Sequence, residues 1–279
     1  MGETTTGFAI CASTIIRLQS KNCKESMINI LNSSQGLRNM NLKNKTALIT
    51  GASSGIGAAC ARALAERGCS VIASGRNKKK IQSLAESING HFIVADLNDT
   101  KQIEKLFSEA GERIDILINS AGVAPKAPII NGELSNFREL LSVNVLALTL
   151  CCQFALKKFD PNEGGHIINL SSMSGHRVPP SGGFYAATKF AVRAVTEALR
   201  FELKAVDNKT RVAMISPGFV NTPLLDLYFK GDEEKLTKLK DDIHMLDPID
   251  VAESVIHIIE APTHVEIGDV QLRPSEQGI

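Results

Sequence analysis

The sequence predicts one doubly wound α/β domain: a parallel sheet of about seven strands with helices on both faces. Three observations predict it. From Lys45 onward, short strand-like runs alternate with helix-like segments. The strand-like runs are apolar almost throughout, as strands covered on both faces must be. A glycine-rich turn, Thr50-Gly-Ala-Ser-Ser-Gly-Ile-Gly57, joins the first strand to the first helix. Right-handed crossovers between such strands place ligands outside their carboxyl ends.

Thr46–Thr50 reads as the first strand and Ile56–Arg67 as an alanine-rich helix. Ser70–Ser74 is the second strand. Asn77 then caps a helix that brings Ile81, Leu84, Ala85 and Ile88 onto one face. His91–Ala95 is the third strand, and Ile103, Leu106, Phe107 and Ala110 repeat the helical spacing. Ile114–Asn119, His166–Ser171 and Arg211–Ser216 continue the series. Asp247 before Pro248 opens a last helix, and Val265–Leu272 is the final strand. No internal repeat and no linker to a second domain is visible, so residues 41–279 are expected to form a single catalytic domain.

Residues 1–40 differ: they are rich in Ser, Thr and Asn, and read as a disordered N-terminal extension. Their apolar patch Phe8–Ile16 follows Glu3 and no basic residue, a poor secretory signal. Arg17, Lys21, Lys24 and Arg38 leave a mitochondrial-type presequence open beside the cytoplasmic expectation.

The 279 residues are 43% apolar and 22% charged with net charge +1, the balance of a soluble globular chain without a nucleic-acid footprint. No apolar run reaches the ~20 residues that span a membrane, so no stable span is expected. The six cysteines form no C-x-x-C pair and have no His pair at ligand spacing, so no metal is expected. Buried free thiols in a reducing compartment account for them.

The glycine-rich turn would bring unpaired N–H groups and a helix N-terminus to a diphosphate. Gly51 permits the tight turn, Gly55 admits phosphate, and Gly57 lets helix and strand pack closely. The second strand ends Ala73-Ser-Gly-Arg-Asn77. An acid there would bind a ribose 2′-hydroxyl; its absence, with Arg76 in place, suits a 2′-phosphate.

The chain holds two tyrosines, and one lies in Tyr185-Ala-Ala-Thr-Lys189, with Ser172 thirteen residues upstream. Positions i and i+4 share a helix face. A cation there would favour the phenolate and lower the phenol's pKa, making it a proton donor and acceptor near neutral pH.

Over residues 43–273 these motifs resemble the short-chain dehydrogenase/reductase family, whose members have a Rossmann-type sheet. The family's glycine motif matches Thr50–Gly57, which implies that Gly51, Ser53, Ser54, Gly55, Ile56 and Gly57 hold the dinucleotide. Its Asn-Asn-Ala-Gly motif appears as Asn119-Ser-Ala-Gly122, with serine at the second place, so Asn119, Ala121 and Gly122 are implied cofactor contacts. Asp96 matches the aspartate that holds adenine, Pro217-Gly218 the Pro-Gly after the sixth strand, and Val220 and Thr222 fall where the family contacts the nicotinamide carboxamide; with Leu97 these are implied cofactor contacts. The family's tetrad maps onto Asn144, Ser172, Tyr185 and Lys189. Ser172-Met-Ser-Gly-His-Arg-Val178 and Glu266–Pro274 resemble a narrower branch, that of vertebrate member eleven and the insect farnesol dehydrogenases.

The resemblance implies NADP(H), and an apolar ketone, aldehyde or alcohol as substrate: a ketosteroid, an isoprenoid alcohol such as farnesol, or a reactive carbonyl. Ser172 would hydrogen-bond the substrate oxygen, Tyr185 would pass the proton, Lys189 would hold the ribose, and Asn144 would anchor a water chain. Tyr185 and Lys189 are thereby cofactor contacts as well. An NAD-linked alcohol dehydrogenase and a non-catalytic nucleotide sensor are the alternatives. His176 and Arg177, close to Ser172, read as loop-surface residues. Phe219–Asp247, with Leu224, Leu225, Leu227, Tyr228 and Phe229 near its start, is long enough to be a lid.

The segments Leu140–Leu156 and Tyr185–Leu203 are apolar beyond what one sheet can cover. Leu141, Val145, Leu148 and Cys152 take one side of the first, and Leu140, Val143, Ala147, Leu150 and Phe154 the other. A homodimer or homotetramer joined through both helices is expected.

Overall fold

The computed structural model describes residues 41–180 and 182–278. The expected extension over residues 1–40, with Cys11 and Cys23, lies outside the described residues.

In chain order the elements are β1 (Thr46–Thr50), α1 (Gly55–Glu66), β2 (Ser70–Gly75), α2 (Lys78–Ser87), β3 (His91–Val94), α3 (Thr100–Glu109) and β4 (Ile116–Asn119). A helical run follows: α4 (Leu134–Leu141), a π-helical turn (Ser142–Ala147) and α5 (Leu148–Leu156). Next come β5 (His166–Leu170), a 3₁₀ turn (Met173–Gly175), α6 (Gly183–Ala205) and β6 (Arg211–Pro217). The chain ends with α7 (Pro223–Tyr228), α8 (Glu233–Asp242), α9 (Pro248–Glu260) and β7 (Asp269–Leu272).

The seven strands form one parallel sheet in the order β3-β2-β1-β4-β5-β6-β7. Side chains alternate between its faces. Ala47 and Ile49 join Ile116, Ile118, Ala213 and Ile215 against α1 and α9. Leu48, Leu117, Val212 and Met214 pack with Ile103, Leu106 and Phe107 of α3, Cys151 and Cys152 of α5, and Val192 of α6. Both faces are thus buried, and the strands need no polar alternation.

The winding reverses between β1 and β4, where Thr50 pairs with Asn119. The helices that follow these strands diverge to opposite faces and leave a crevice at the carboxyl edge.

Several boundaries shift. The final strand begins at Asp269, not Val265, because the Val265 carbonyl accepts a hydrogen bond from Arg211 Nη1 at 2.9 Å instead of joining the ladder. Leu134–Leu156 is long and apolar enough, by length and composition, to cross a membrane, with mean hydropathy 1.7. Ser142, Asn144, Thr149 and Gln153 interrupt it, so it holds no continuous apolar run of that length. Here Leu140 and Val143 are buried beside Tyr185, and Leu148, Cys151 and Ala155 against the sheet. Its faces also differ from those expected. Leu140, Val143 and Ala147 are buried while Leu141 and Leu146 are exposed, because the wider π-helical turn shifts the helical register.

Cys60, Cys69, Cys151 and Cys152 are buried free thiols. Burial pushes all four up, to about 12 at Cys60, Cys69 and Cys152.

Candidate active site

Two cavities meet at the carboxyl edge of the sheet. The first, of about 290 Å³, is lined by Gly51, Ser53, Ser54, Gly55, Ile56, Gly75, Arg76, Asn77, Asp96, Leu97, Ala121, Gly122 and Thr222. Gly51 has φ +68°, and a Cβ there would lie 2.6 Å from the backbone of Ala121. A Cβ on Gly57 would lie 2.5 Å from the Gly51 carbonyl oxygen. Side chains are therefore excluded along one wall, which leaves a trough of backbone at the start of α1. That trough fits a nucleotide diphosphate. Arg76 is exposed at its rim beside Asn77, whose side chain caps α2 by accepting from the Lys80 N–H at 3.1 Å.

The second cavity, of about 300 Å³, shares Ile56, Thr222 and Leu224 with the first. Ser172 and Tyr185 face it, among Met173, Pro179, Phe219, Leu224, Leu225, Tyr228, Phe229 and Ile243. Pro217, Gly218 and Val220 line this cavity, not the nucleotide trough.

Local structure positions the reactive groups. Ser172 follows β5 and caps the 3₁₀ turn, its Oγ accepting from Ser174 N–H at 3.1 Å. Ser171 Oγ donates to the Lys189 carbonyl at 3.2 Å, which holds the turn against α6. His176 Nε2 lies 2.8 Å from Ser216 Oγ, which ties the far side of the turn to β6. Gly183 starts α6 at φ +48°, and a Cβ there would lie 2.5 Å from the Ala127 carbonyl oxygen.

Tyr185 and Lys189 are buried, one helical turn apart on α6. Lys189 Nζ lies 5.7 Å from the centre of the Tyr185 ring and donates to the Leu170 carbonyl at 2.9 Å. The charge balance departs from the expectation. Burial pushes the Tyr185 phenol well above its ordinary range, the hydrogen bond to Ser172 offsets this in part, and Tyr228 adds to the rise. Burial also draws the Lys189 ammonium down to about 8. The i,i+4 spacing brings the two groups together, but water exclusion outweighs the cation.

Asn144 stands in the π-helical turn. Its Oδ1 accepts from Val123 N–H at 2.9 Å, and its Nδ2 donates to the Val123 carbonyl at 2.9 Å and to Thr188 Oγ1 at 3.1 Å. Thr188 Oγ1 in turn donates to the Tyr185 carbonyl at 2.7 Å. The amide thus pins the segment after β4 to the first turn of α6. A Cβ on Gly122 would sit 3.5 Å from Asn144 Oδ1 and 3.9 Å from Lys189 Nζ, so this glycine keeps the space between them open. Asn119 points elsewhere: it is buried and donates to Asn169 Oδ1 at 2.9 Å, inside the sheet.

The lid segment folds as α7 and α8, neither of which buries a residue completely. Leu224 and Tyr228 pack against the cluster that holds Tyr185. Gln277 and Gly278, which the sequence did not single out, form another wall. Gln277 Oε1 accepts from Phe219 N–H at 2.9 Å, the Gly278 carbonyl accepts from Arg177 Nη2 at 2.7 Å, and Glu276 Oε2 accepts from His244 N–H at 2.6 Å. No periodicity marks such a tail; only its contacts reveal it.

A hydroxyl and a phenol thus face an apolar cavity that adjoins the backbone trough, with an ammonium buried beside the phenol ring. That arrangement can pass a proton to or from an oxygen held at Ser172.

Residues 45–232 match the short chain dehydrogenase family. Dehydrogenase/reductase SDR family member 11 of Bos taurus is 41% identical over 249 residues, covering 84% of this chain and 98% of the bovine protein. The Homo sapiens counterpart is 40% identical over the same share of this chain and 96% of its own length. Among solved structures, the closed form of serine dehydrogenase complexed with NADP+ has a TM-score of 0.79 and 30% identity, covering 84% of this chain and 96% of that one. An alcohol dehydrogenase from Thermococcus sibiricus complexed with 5-hydroxy-NADP has a TM-score of 0.72 and 26% identity, covering 84% and 98%.

Proposed function

Because the chain belongs to the short-chain dehydrogenase family, we propose that it is an NADP(H)-dependent oxidoreductase that interconverts an apolar ketone or aldehyde with a secondary or allylic alcohol. Family membership carries the oxidoreductase class. The observation that carries the rest is that Ser172 and Tyr185 face the apolar cavity together, with Lys189 Nζ buried 5.7 Å from the centre of the Tyr185 ring.

The residues present suit the nucleotide. The backbone of Gly51–Gly57 would hold the diphosphate, Asp96 and Leu97 the adenine, and Arg76 the 2′-phosphate. The NADP+ in the serine dehydrogenase structure supports this reading. When bound, the nicotinamide supplies or accepts the hydride at the substrate carbon.

The chain's own groups serve the oxygen. Ser172 donates a hydrogen bond to it, and Tyr185 delivers the proton. Lys189, at about 8, is poised to share that proton and to reach the ribose. Asn144 fixes the geometry of α6 through Thr188. Phe219, Leu224, Tyr228, Phe229 and Ile243 favour an apolar substrate body, as in a ketosteroid or an isoprenoid alcohol such as farnesol.

The test is turnover with NADPH and with NADH across ketones, aldehydes and allylic alcohols. NADPH is expected to be preferred. Arg76→Asp should erase the preference, since a charge-assisted pair is worth about 10- to 150-fold. Equal use of NADH by the unaltered enzyme would refute the assignment of Arg76, and no turnover with either nucleotide would support a non-catalytic role.

A further inference from the structure

The apolar cavity carries one feature that a neutral substrate leaves unexplained. Among the described residues lining it, Arg177 alone is charged. No carboxylate lies within ion-pair distance of it among the described residues.

Arg177 is half-buried, and the Gly278 carbonyl takes one of its donors at 2.7 Å. A guanidinium has five N–H donors in a planar fork matched to a carboxylate. Arg177 lines the same cavity as Met173, Pro179, Phe219 and Ile243, so a carboxylate on an apolar substrate would meet a charge-assisted partner there. The bond to Gly278 fixes the side chain at the cavity wall and leaves the other N–H groups available. Ser172 and Tyr185 face the same cavity five and eight residues away along the chain, so one molecule can touch all three.

We infer that the cavity takes substrates with a carboxylate at the end remote from the reacting carbonyl: oxo acids in one direction and hydroxy acids in the other. Arg177 is the specificity determinant. The inference rests on the proposed carbonyl–alcohol chemistry and names its substrate class. The carboxylate takes no part in the redox step. The carbonyl carbon gains a hydride from NADPH and the oxygen a proton from Tyr185, giving the hydroxy acid and NADP+.

The experiment compares methyl-ketone carboxylates of increasing chain length with their methyl esters, using NADPH, in the unaltered enzyme and in Arg177→Gln and Arg177→Lys. A second readout needs no turnover: calorimetric binding of octanoate and octanol in the presence of NADP+. At the best length kcat/KM for the acid should exceed that for its ester by about 10- to 150-fold. Arg177→Gln should bring the acid-to-ester ratio of kcat/KM to about one and abolish octanoate binding. Arg177→Lys, which keeps charge without the fork, should retain part of the preference.

Equal or better use of the ester at every length would overturn the inference. So would an equal loss of acid and ester turnover in Arg177→Gln, the result expected if Arg177 only clamps the tail. Absence of turnover with every acid and every ester would defeat the carbonyl–alcohol reading instead, and octanoate binding would still report on Arg177.

Discussion

The rings of Tyr185 and Tyr228, the chain's two tyrosines, meet edge to face with centroids 5.6 Å apart and planes at 73°. Tyr228 ends α7, a helix of six residues that buries none of them completely. Contacts with Tyr185 and its surrounding cluster are what seat this helix. An edge-to-face pair contributes about 0.5–1.5 kcal/mol beyond the area it buries. The helix is therefore weakly held, and it is held at the phenol that would deliver the proton.

Removing the ring should loosen the helix without touching the chemistry directly. For Tyr228→Ala, kcat/KM toward an apolar ketone should fall about 10-fold, mostly through KM, from loss of the pair and of cavity wall. Tyr228→Phe keeps the ring and should recover most of that loss. Steady-state kinetics of both variants decides it; an unchanged KM in Tyr228→Ala would mean that the helix closes without this contact.

Tyr185→Phe tests the proton step. Burial and the Ser172 hydrogen bond hold the phenol in place, and a positioned proton donor contributes about 10²–10⁴-fold. That loss is expected in kcat, while NADPH affinity, read by fluorescence titration, should hold within about threefold. Tyr228 is the chain's other phenol and sits beside Tyr185, so the residual rate should be compared in the double variant Tyr185→Phe/Tyr228→Phe. If Tyr185→Phe alone keeps near-native kcat, the proton comes from elsewhere.

The parts of this molecule that a sequence can reveal are those set by local backbone demands. Thr46–Thr50 is legible as a strand because both its faces are buried, and the turn at Gly51 because a side chain there would collide with Ala121. The pairing of Tyr185 with Lys189 follows from helical spacing alone. Its electrostatics do not, because the residues that bury Tyr185, among them Val123, Leu140 and Tyr228, lie far from it along the chain. Asn119 matches a motif, yet its side chain points inside the sheet toward Asn169 and Cys152. The Gln277 contact with Phe219 spans 58 residues and leaves no local trace. The π-helical turn at Asn144 likewise shifted which faces of the α4–α5 run are exposed.

His166 makes stability depend on pH. It is buried at the start of β5, beside Arg211 in the register of β6, and its Nδ1 has no hydrogen-bond partner among the described residues. Burial, then the Arg211 charge, draws it down to about 3 from an ordinary 6.5. Between those values the unfolded chain binds the proton and the folded one does not, so stability falls as pH drops below 6.5. The full slope for one group is about 1.4 kcal/mol per pH unit, so roughly 2 kcal/mol is expected to be lost by pH 5. Urea unfolding of wild type and His166→Gln at pH 7 and pH 5 isolates this share. Equal pH dependence in the two proteins would show that His166 protonates without penalty.

The exposed apolar surface predicts self-association. Ala187, Phe190, Ala194, Ala198 and Phe201 lie exposed along α6, with Phe190 39% and Phe201 67% accessible. Leu141 and Leu146, 46% and 49% accessible, add to the apolar exposure from the neighbouring helical run. Burying a large apolar side chain fully is worth about 1.5–3 kcal/mol, so both phenylalanines from each of two subunits would contribute substantially to an interface. A soluble monomer seldom leaves so long an apolar stripe uncovered. Light scattering at micromolar protein should therefore give a dimer or tetramer of the 30.1 kDa chain. Phe190→Glu/Phe201→Glu places two charges within the stripe and should shift the protein to the monomer, with the far-UV circular dichroism of the fold retained. A wild-type monomer, well behaved and unchanged by the double substitution, would show that this face stays in water.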